Sequence, residues 1–356
     1  QKPWVTVNSC FTHHGRGGFL EHAKEDTLLP LIEPFAEIGA EAFVIDAGWY
    51  PCGNNWGDIY EGYVIDRNKY PNGFRAIADS CAKNGLAFGI WFVPEYRGSL
   101  DDPKPREGFL AYVKDKVDNE GMTMFRTDGA GGWAGDAPDR VGVSEMKAIE
   151  GVHLTWDAVA KMRPHMVMEG CAGGGRRIDL ETLSRFSWIQ KSDRWFDSVS
   201  DQCSLYGGSC FLPGGVLNIP TESTDDWTAW SSFAGQLVLG WHPLDKDFPM
   251  EQARKQVALY KQVRPLLSGD FYPLTECSLE APWLAFQFMK GDKGVAMIYR
   301  RPDAPEDTFV LKMKAVDPKA KYRVRIESAD KEIEPAGAVL AKGIEIKITK
   351  APGAEL

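Results

Sequence analysis

The chain has no excess of basic residues. Its 356 residues include 41 Lys and Arg against 50 Asp and Glu, which gives a formal net charge of −9 and an isoelectric point near 5.3. A protein that binds nucleic acid needs a basic face to neutralise phosphates, so this composition argues against that class. No apolar run approaches the roughly 18 residues of a membrane-spanning helix. We therefore expect neither a nucleic-acid partner nor a membrane partner.

Metal and disulfide signatures are missing as well. The seven cysteines are odd in number and irregularly spaced, so they form neither a zinc signature nor an evident disulfide framework. We expect no metal and no cofactor. The chain starts at Gln1, without an initiator Met or a basic and apolar leader, which is compatible with a mature secreted protein or with an excised region. A secreted or periplasmic location is expected over a cytoplasmic one, and the oligomeric state stays open.

Apolar and aromatic residues, by contrast, are plentiful. Hydrophobic residues make up 44% of the chain and aromatic residues 12%, with 12 Trp and 36 Gly. This is enough for a large core and two domains. Tryptophan faces and glycine-rich loops suit carbohydrate sites, although tryptophans also fill cores.

Short apolar runs alternate with helical patterns along most of the chain. The runs that predict strands lie at 4–9, 42–45, 86–93, 122–125, 166–168, 187–190, 210–212 and 236–241. Continuous apolar strands separated by helices predict an α/β fold, a (β/α)8 barrel. An open doubly wound sheet is the alternative, but no G-x-G-x-x-G follows the first strand. The glycines at 173–175 also lack the Lys-Ser/Thr of a phosphate loop.

The pattern changes after residue 268. Short strands with turn residues between them follow one another from 283 to 349, which predicts a small antiparallel β-sandwich. We therefore predict a catalytic barrel over 1–268 and a C-terminal β-sandwich domain over 269–356.

Polar residues stand where the predicted strands end. They are Asn8, Asp46, Glu95, Asp128, Glu169 and Asp193. The carboxyl ends of barrel strands meet on one face, so these side chains should converge. The tryptophans just beyond them are Trp49, Trp56, Trp91, Trp133 and Trp195. Carboxylates ringed by indoles indicate sugar chemistry, in which one carboxylic acid protonates the leaving oxygen and one carboxylate faces the anomeric carbon. For Asp46 and Glu95 the alternative is a structural role, capping a helix or pairing with Arg.

Several motifs in order resemble glycoside hydrolase family 36, the retaining α-galactosidases. The family's L-D-D-G-W is met by residues 45–49, its G-x-x-F-G-x-W-x-x-P-E by 85–95, and its K-W-D by 126–128. Its E-x-C-S-x-G-G-G-R-F-D resembles residues 169–179. Its W-x-S-D-x-x-D is similar to residues 192–197, which match the motif from its Ser onward. The resemblance covers the whole predicted barrel and, loosely, the C-terminal sandwich.

The resemblance implies roles for particular residues. It makes Asp128 the nucleophile and Asp193 the general acid/base. It places Asp46, Arg126, Cys171 and Gly174 around the sugar in the minus-one subsite, and the indoles add Trp49, Trp91 and Trp195 as substrate-binding residues. The implied activity is a retaining exo-α-glycosidase that releases terminal α-linked galactose, or a galactose-like sugar, from oligosaccharides or polysaccharides. A transglycosylase with the same carboxylates and a catalytically silent carbohydrate-binding relative stay open.

Two departures from the family pattern concern the substrate. The second Asp of D-D-G-W is Ala47, and the family Lys of K-W-D is Arg126. A lost carboxylate and a planar, fork-shaped cation favour a sugar with an anionic or bulky substituent. We therefore expect a substituted or anionic sugar as one possible substrate, with plain α-galactoside as the alternative.

Overall fold

The structure is a computed structural model that describes residues 2–16, 18–59, 62–129 and 136–356. Trp133, one of the tryptophans noted above, lies outside these residues. The chain divides into two compact units. The first contains residues 3–194 and 238–250, and the second contains residues 195–237 and 251–356.

Eight strands form a closed barrel in chain order. They are β1 (Val5–Asn8), β2 (Ala42–Ile45), β3 (Ala87–Phe92), β4 (Met124–Thr127), β5 (Val167–Gly170), β6 (Trp188–Gln190), β7 (Leu217–Thr221) and β8 (Gln236–Leu239). Neighbouring strands from β1 to β6 pair in parallel. The predicted (β/α)8 barrel is confirmed.

The barrel strands are buried on both faces, as their continuous apolar character predicts. Every residue of β2, β4 and β5 is buried. Ala42 and Val44, which alternate along β2, pack in one hydrophobic cluster with Met124, Val167 and Trp188. Rigid strands of this kind hold the residues at their carboxyl ends in fixed positions, which is what a site requires.

The predicted seventh strand was misplaced. Residues 210–212 follow the helix Ser198–Ser209 as a turn, and the strand is Leu217–Thr221. Its pattern is weak because Pro220 cannot donate a ladder hydrogen bond and Asn218 interrupts the apolar run. The strand nevertheless forms because all five of its residues are buried.

Helices and short 3-10 segments connect the strands. The helices are α1 (Ser9–Thr12), α2 (Phe19–His22), α3 (Glu25–Leu28), α4 (Ile32–Ile38), α5 (Arg75–Lys83), α6 (Pro103–Asp118), α7 (Val143–Met162), α8 (Leu180–Leu183), α9 (Ser198–Ser209), α10 (Asp226–Trp230), α11 (Met250–Val263) and α12 (Gly337–Lys342). The 3-10 segments are Leu29–Leu31, Pro94–Arg97 and Arg264–Leu266. Several helices start at an Asp whose side chain accepts from a backbone N–H of the first turn, such as Asp102 and Asp197, and such caps stabilise helix starts.

The antiparallel part of the second unit contains three small sheets. Their strands are β9 (Asp270–Pro273), β10 (Trp283–Lys290), β11 (Lys293–Arg300), β12 (Thr308–Leu311), β13 (Val324–Ile326), β14 (Lys331–Ile333), β15 (Ile344–Lys347) and β16 (Gly353–Glu355). One sheet has four strands in the order β16-β11-β10-β9, and the others pair β12 with β15 and β13 with β14. The small antiparallel component is thus confirmed, while the boundary at residue 268 stays a prediction. Within the described ranges, no helix combines the length and apolar character needed to cross a membrane.

Candidate active site

The predicted site residues of the first unit follow the carboxyl ends of β1 to β6. Asn8 ends β1, Asp46 follows β2, Asp128 follows β4, Cys171 follows β5, and Asp193 lies shortly after β6. Parallel pairing in chain order places these ends next to one another. This is the face on which barrel enzymes build their active sites.

Asp128 is surrounded by hydrogen-bond donors. Its Oδ2 accepts from the Trp91 indole N–H at 3.2 Å. Its Oδ1 accepts from the backbone N–H groups of Gly129 at 2.6 Å and Gly173 at 2.9 Å. Burial alone would raise the pKa of this carboxyl, but the nearby charge of Arg126 and the hydrogen bonds from Cys171, Gly173 and Gly129 outweigh it, so the net pKa lies below the ordinary value. The carboxylate is therefore held ionised.

Arg126 is a buried cation with a protein oxygen near each of its nitrogens. Its Nε lies 3.2 Å from Asp46 Oδ2 without the alignment of a hydrogen bond, its Nη1 forms an ion pair with Glu169, and its Nη2 donates to the Gln190 side-chain oxygen at 3.4 Å. The strand register places Arg126 directly opposite Glu169. These contacts reduce the positive charge that Arg126 offers to an anionic substituent, and the expectation of a substituted or anionic sugar stays a prediction.

Asp46, which lies beside Arg126, is held in place by two hydrogen-bond donors. Its Oδ2 accepts from the Asn8 side-chain amide at 2.6 Å, and its Oδ1 accepts from the Ala47 N–H at 2.9 Å. Burial raises the pKa of this carboxyl, while Arg126 and the two donors act in the opposite direction. Asp46 is only 7% exposed. The ion pair with Arg126 bears out the alternative that Asp46 has a structural partner, and a contact with the sugar stays a prediction.

Glu95 also has an arginine partner. Its Oε2 accepts from Arg177 Nη1 at 3.1 Å, and the same nitrogen lies 3.3 Å from the Gly129 carbonyl. Arg177 thus ties the 3-10 segment after β3 to the backbone that follows Asp128. The structural interpretation applies to Glu95.

The glycine-rich turn after β5 positions both candidate catalytic residues. Gly173 donates to Asp128, as described above. Gly174 has φ of +84°, and a Cβ there would lie 2.5 Å from the backbone nitrogen of Asp193. Glycine is required at this position for both reasons, since it alone tolerates the conformation and the approach. The Cys171 thiol hydrogen-bonds to Asp128 and stays protonated, because burial raises its pKa well above the usual value.

Asp193 differs from Asp128 in its surroundings. The residue is exposed, but its carboxyl is partly desolvated. This desolvation raises the pKa, and the negative charge of Asp128 raises it further, while Arg126 and Arg176 act in the opposite direction with a smaller combined effect. Two carboxyl groups whose surroundings move their pKa values apart are the usual arrangement of a base or nucleophile and an acid.

The chain is similar to known α-galactosidases. The family model described as Melibiase matches residues 17–101. Alpha-galactosidase 1 of Pediococcus pentosaceus is 24% identical over 350 residues, with 84% of this chain and 47% of the relative covered. Alpha-galactosidase AgaA of Geobacillus stearothermophilus is 23% identical over 84% of this chain and 48% of the relative. Over residues 17–101 the chain is similar to the melibiase family. It spans about half the length of the curated relatives it matches.

Solved structures show the same fold as this chain. The crystal structure of the family 36 α-galactosidase AgaA from Geobacillus stearothermophilus matches with a TM-score of 0.85 at 20% identity, covering 100% of this chain and 55% of that one. A variant of AgaA in complex with raffinose matches with a TM-score of 0.84, also at 20% identity, over 100% of this chain and 55% of that one. The resemblance to glycoside hydrolase family 36 is confirmed.

Two of the tryptophans expected to bind sugar, Trp49 and Trp91, are buried. Trp91 is 1% exposed and donates to Asp128, so its indole holds a carboxylate. Trp49 is 0% exposed, donates to the Trp91 carbonyl at 3.0 Å, and packs against Tyr63 and Phe92. The expectation that the Trp49 ring contacts sugar is wrong for this structure, because none of its surface is open. Trp195 belongs to the second unit and is half-buried, and its sugar contact stays a prediction.

Sequence reasoning missed several supporting residues. Trp188 donates to Glu169 Oε2 at 3.0 Å, Gln190 faces Arg126, and the backbone of Gly173 donates to Asp128. The polar residue at the end of β6 was a usable signal for Gln190. Nothing in the sequence indicates the other two contacts. Across the described ranges, no group of three or more His, Cys, Asp or Glu side chains is placed to hold a metal ion.

Proposed function

We propose that this chain carries the catalytic site of a retaining exo-α-galactosidase, which hydrolyses terminal α-linked galactose from oligosaccharides. The observation that carries the proposal is the contrast between two carboxyl groups on one barrel face. Asp128 has a lowered pKa and four hydrogen-bond donors, Trp91, Gly129, Gly173 and Cys171, whereas the pKa of Asp193 is raised. A glycosidase needs one ionised and one protonated carboxyl group.

The reaction begins with Asp193 in its protonated form. Asp193 gives its proton to the leaving glycosidic oxygen while the Asp128 carboxylate attacks the anomeric carbon, which forms a covalent glycosyl-enzyme intermediate. Asp193 is then ionised and takes a proton from the water that attacks the same carbon. The second displacement restores both carboxyl groups and gives a sugar with its anomeric configuration retained.

The surroundings of Arg126 favour a neutral sugar. Asp46 and Glu169 compensate the charge of this cation, and the ionised Asp128 adds a further negative charge. An anionic substituent in this part of the site would meet carboxylates and no uncompensated guanidinium. The relatives that are named α-galactosidases, and the AgaA variant in complex with raffinose, support a neutral galactoside as the substrate.

The proposal is tested with chromogenic α-glycosides and with proton NMR of the first sugar formed. We expect α-galactoside turnover, with the α-anomer appearing first and mutarotation following. The variant Asp128→Ala should lose at least ~10³-fold in kcat, since residues that act as a unit in a covalent step cause losses of this order or more. Asp292→Ala, at an exposed position in the turn between β10 and β11, is the matched control and should keep wild-type rates.

Three other outcomes would contradict the proposed retaining hydrolysis, each in a different way. An initial β-anomer would reject the covalent route. Product formation that requires a sugar acceptor would indicate a transglycosylase. Tight sugar binding without turnover by the wild-type chain would indicate a carbohydrate-binding relative and would reject the proposed hydrolysis.

A further inference from the structure

Three of the seven cysteines lie in the second unit, apart from the candidate active site. Cys203 is half-buried, and Cys210 and Cys277 are exposed, whereas the remaining four cysteines are buried. Cys203 and Cys210 belong to or adjoin α9, and Cys277 lies in the segment between β9 and β10, which we call the 274–282 loop. All three thiols are free.

Cys203 and Cys277 form a crossed pair, in which each sulfur contacts a backbone carbonyl oxygen in the other cysteine's segment. The Cys277 Sγ lies 3.9 Å from the Cys203 carbonyl oxygen, and the Cys203 Sγ lies 3.6 Å from the carbonyl oxygen of Ser278. Each thiol therefore rests on the backbone of the other's segment. Cys210 behaves differently, because its Sγ contacts the Tyr206 carbonyl one turn back along its own helix, at 3.5 Å. The crossed pair is the one whose side chains are within reach of each other.

Other contacts already hold α9 against the 274–282 loop. The Tyr206 hydroxyl donates to the Thr275 carbonyl at 2.7 Å. Arg301 donates from Nε to the Gln202 side-chain oxygen at 3.3 Å and from Nη1 to the Ser278 carbonyl. A disulfide needs Cα atoms about 4.4–6.8 Å apart and suitably directed Cβ atoms. Segments fixed on both sides of a thiol pair reach such a geometry with little movement.

The two sulfurs differ in reactivity. Arg301 Nη2 lies 3.2 Å from the Cys203 Sγ, so Cys203 has the electropositive surroundings that are typical of reactive cysteines. Burial and the adjacent Cys203 thiol raise the pKa of Cys277 to about 11, so Cys277 stays a thiol at neutral pH. This difference makes Cys203 the attacking sulfur and Cys277 the resolving one.

We propose that Cys203 and Cys277 are a thiol–disulfide exchange site, which closes into a reversible bridge between α9 and the 274–282 loop when a small-molecule disulfide such as oxidised glutathione is present. The Cys203 thiolate attacks one sulfur of that disulfide, forming a mixed disulfide and releasing one thiolate. Cys277 then loses its proton and attacks the Cys203 sulfur, which expels the second small thiolate. The protein loses two hydrogens and the small disulfide is reduced to two thiols, so atoms and electrons balance.

The test exposes the reduced folded chain to oxidised glutathione and follows it by intact mass and by non-reducing peptide mapping. We expect the mass to fall by two hydrogens, one cross-linked peptide joining Cys203 to Cys277, and full reversal by dithiothreitol. Closure should accelerate as pH rises from 7 to 9, because the resolving thiol must lose its proton. Cys277→Ser should stop at the mixed disulfide on Cys203, and Cys210→Ser, the matched control, should cross-link like the wild type.

Several results would overturn the proposal. These are a stable glutathione adduct on the wild-type chain without a cross-link, a cross-link that involves Cys210, a disulfide between two chains, and no thiol loss at all. The wild-type mass spectrum decides among them even if a serine variant fails to fold.

Discussion

The arrangement around Arg126 predicts strong discrimination against anionic sugars. The compared substrates are an aryl α-galacturonide and its methyl ester, which have nearly the same size and differ by one negative charge. The single positive charge of Arg126 is shared among Asp46, Glu169 and the ionised Asp128, so the site keeps an excess of negative charge. One uncompensated charge at about 6 Å, with an effective dielectric constant of about 20, contributes roughly 3 kcal/mol of repulsion. This corresponds to about 100-fold in kcat/KM.

The assay measures kcat/KM for both compounds, with the plain α-galactoside as a reference. We expect the ester to be cleaved roughly 100-fold better than the free uronide, and the galactoside to be the best of the three. The ester controls for size, so a poor rate with both compounds would show a steric limit and no electrostatic one. A uronide that reacts as fast as its ester would refute the reasoning, since Arg126 would then have to be open to the substrate's charge.

The other predictions concern the carboxyl pair and its supporting turn. The pH profile of kcat/KM should be a bell, rising as Asp128 loses its proton below the ordinary Asp pKa of 3.8 and falling as Asp193 loses its proton above it. Arg126 lowers both pKa values, so Arg126→Gln should move both limbs to higher pH, and opposite movements would contradict this. Asp193→Ala should impair substrates with poor leaving groups far more than activated aryl glycosides, and equal losses would indicate a structural role. Gly174→Ala should lower kcat/KM by about 10- to 100-fold, on the order of 1–3 kcal/mol, because the added Cβ would lie 2.5 Å from the Asp193 backbone nitrogen. Gly173→Ala should lower kcat/KM less, because its Cβ would approach Arg176 side-chain atoms at 3.4 Å.

The fold was largely predictable because its signals are local. Continuous apolar runs followed by polar residues mark the carboxyl ends of buried strands, and these ends carry Asp46, Asp128 and Asp193 as expected. The seventh strand was misplaced because Pro220 and Asn218 hide its buried character. Burial of the strand between its neighbours overrides that local pattern, and sequence periodicity does not record such a tertiary effect.

The contacts of the site were less predictable because they depend on side-chain direction across the sheet. Arg126 and Glu169 are 43 residues apart, and only the strand register makes them neighbours. The same limit explains the error over Trp49. An aromatic residue beyond a strand end can face the site or the layer between strands and helices, and here aromatic packing with Tyr63 and Phe92 places it in the core.

The difference between the two carboxyl groups has more than one source. Arg126 lowers the pKa of both Asp128 and Asp193, and for Asp128 it is the largest of the lowering influences. Asp128 also accepts hydrogen bonds from Gly129, Gly173 and Cys171, and the charge of the ionised Asp128 raises the pKa of Asp193. The turn after β5 supplies two of these donors, and Gly174 brings the same turn against the backbone of Asp193. The assignment of nucleophile and acid therefore depends on the cation and the glycine-rich turn together.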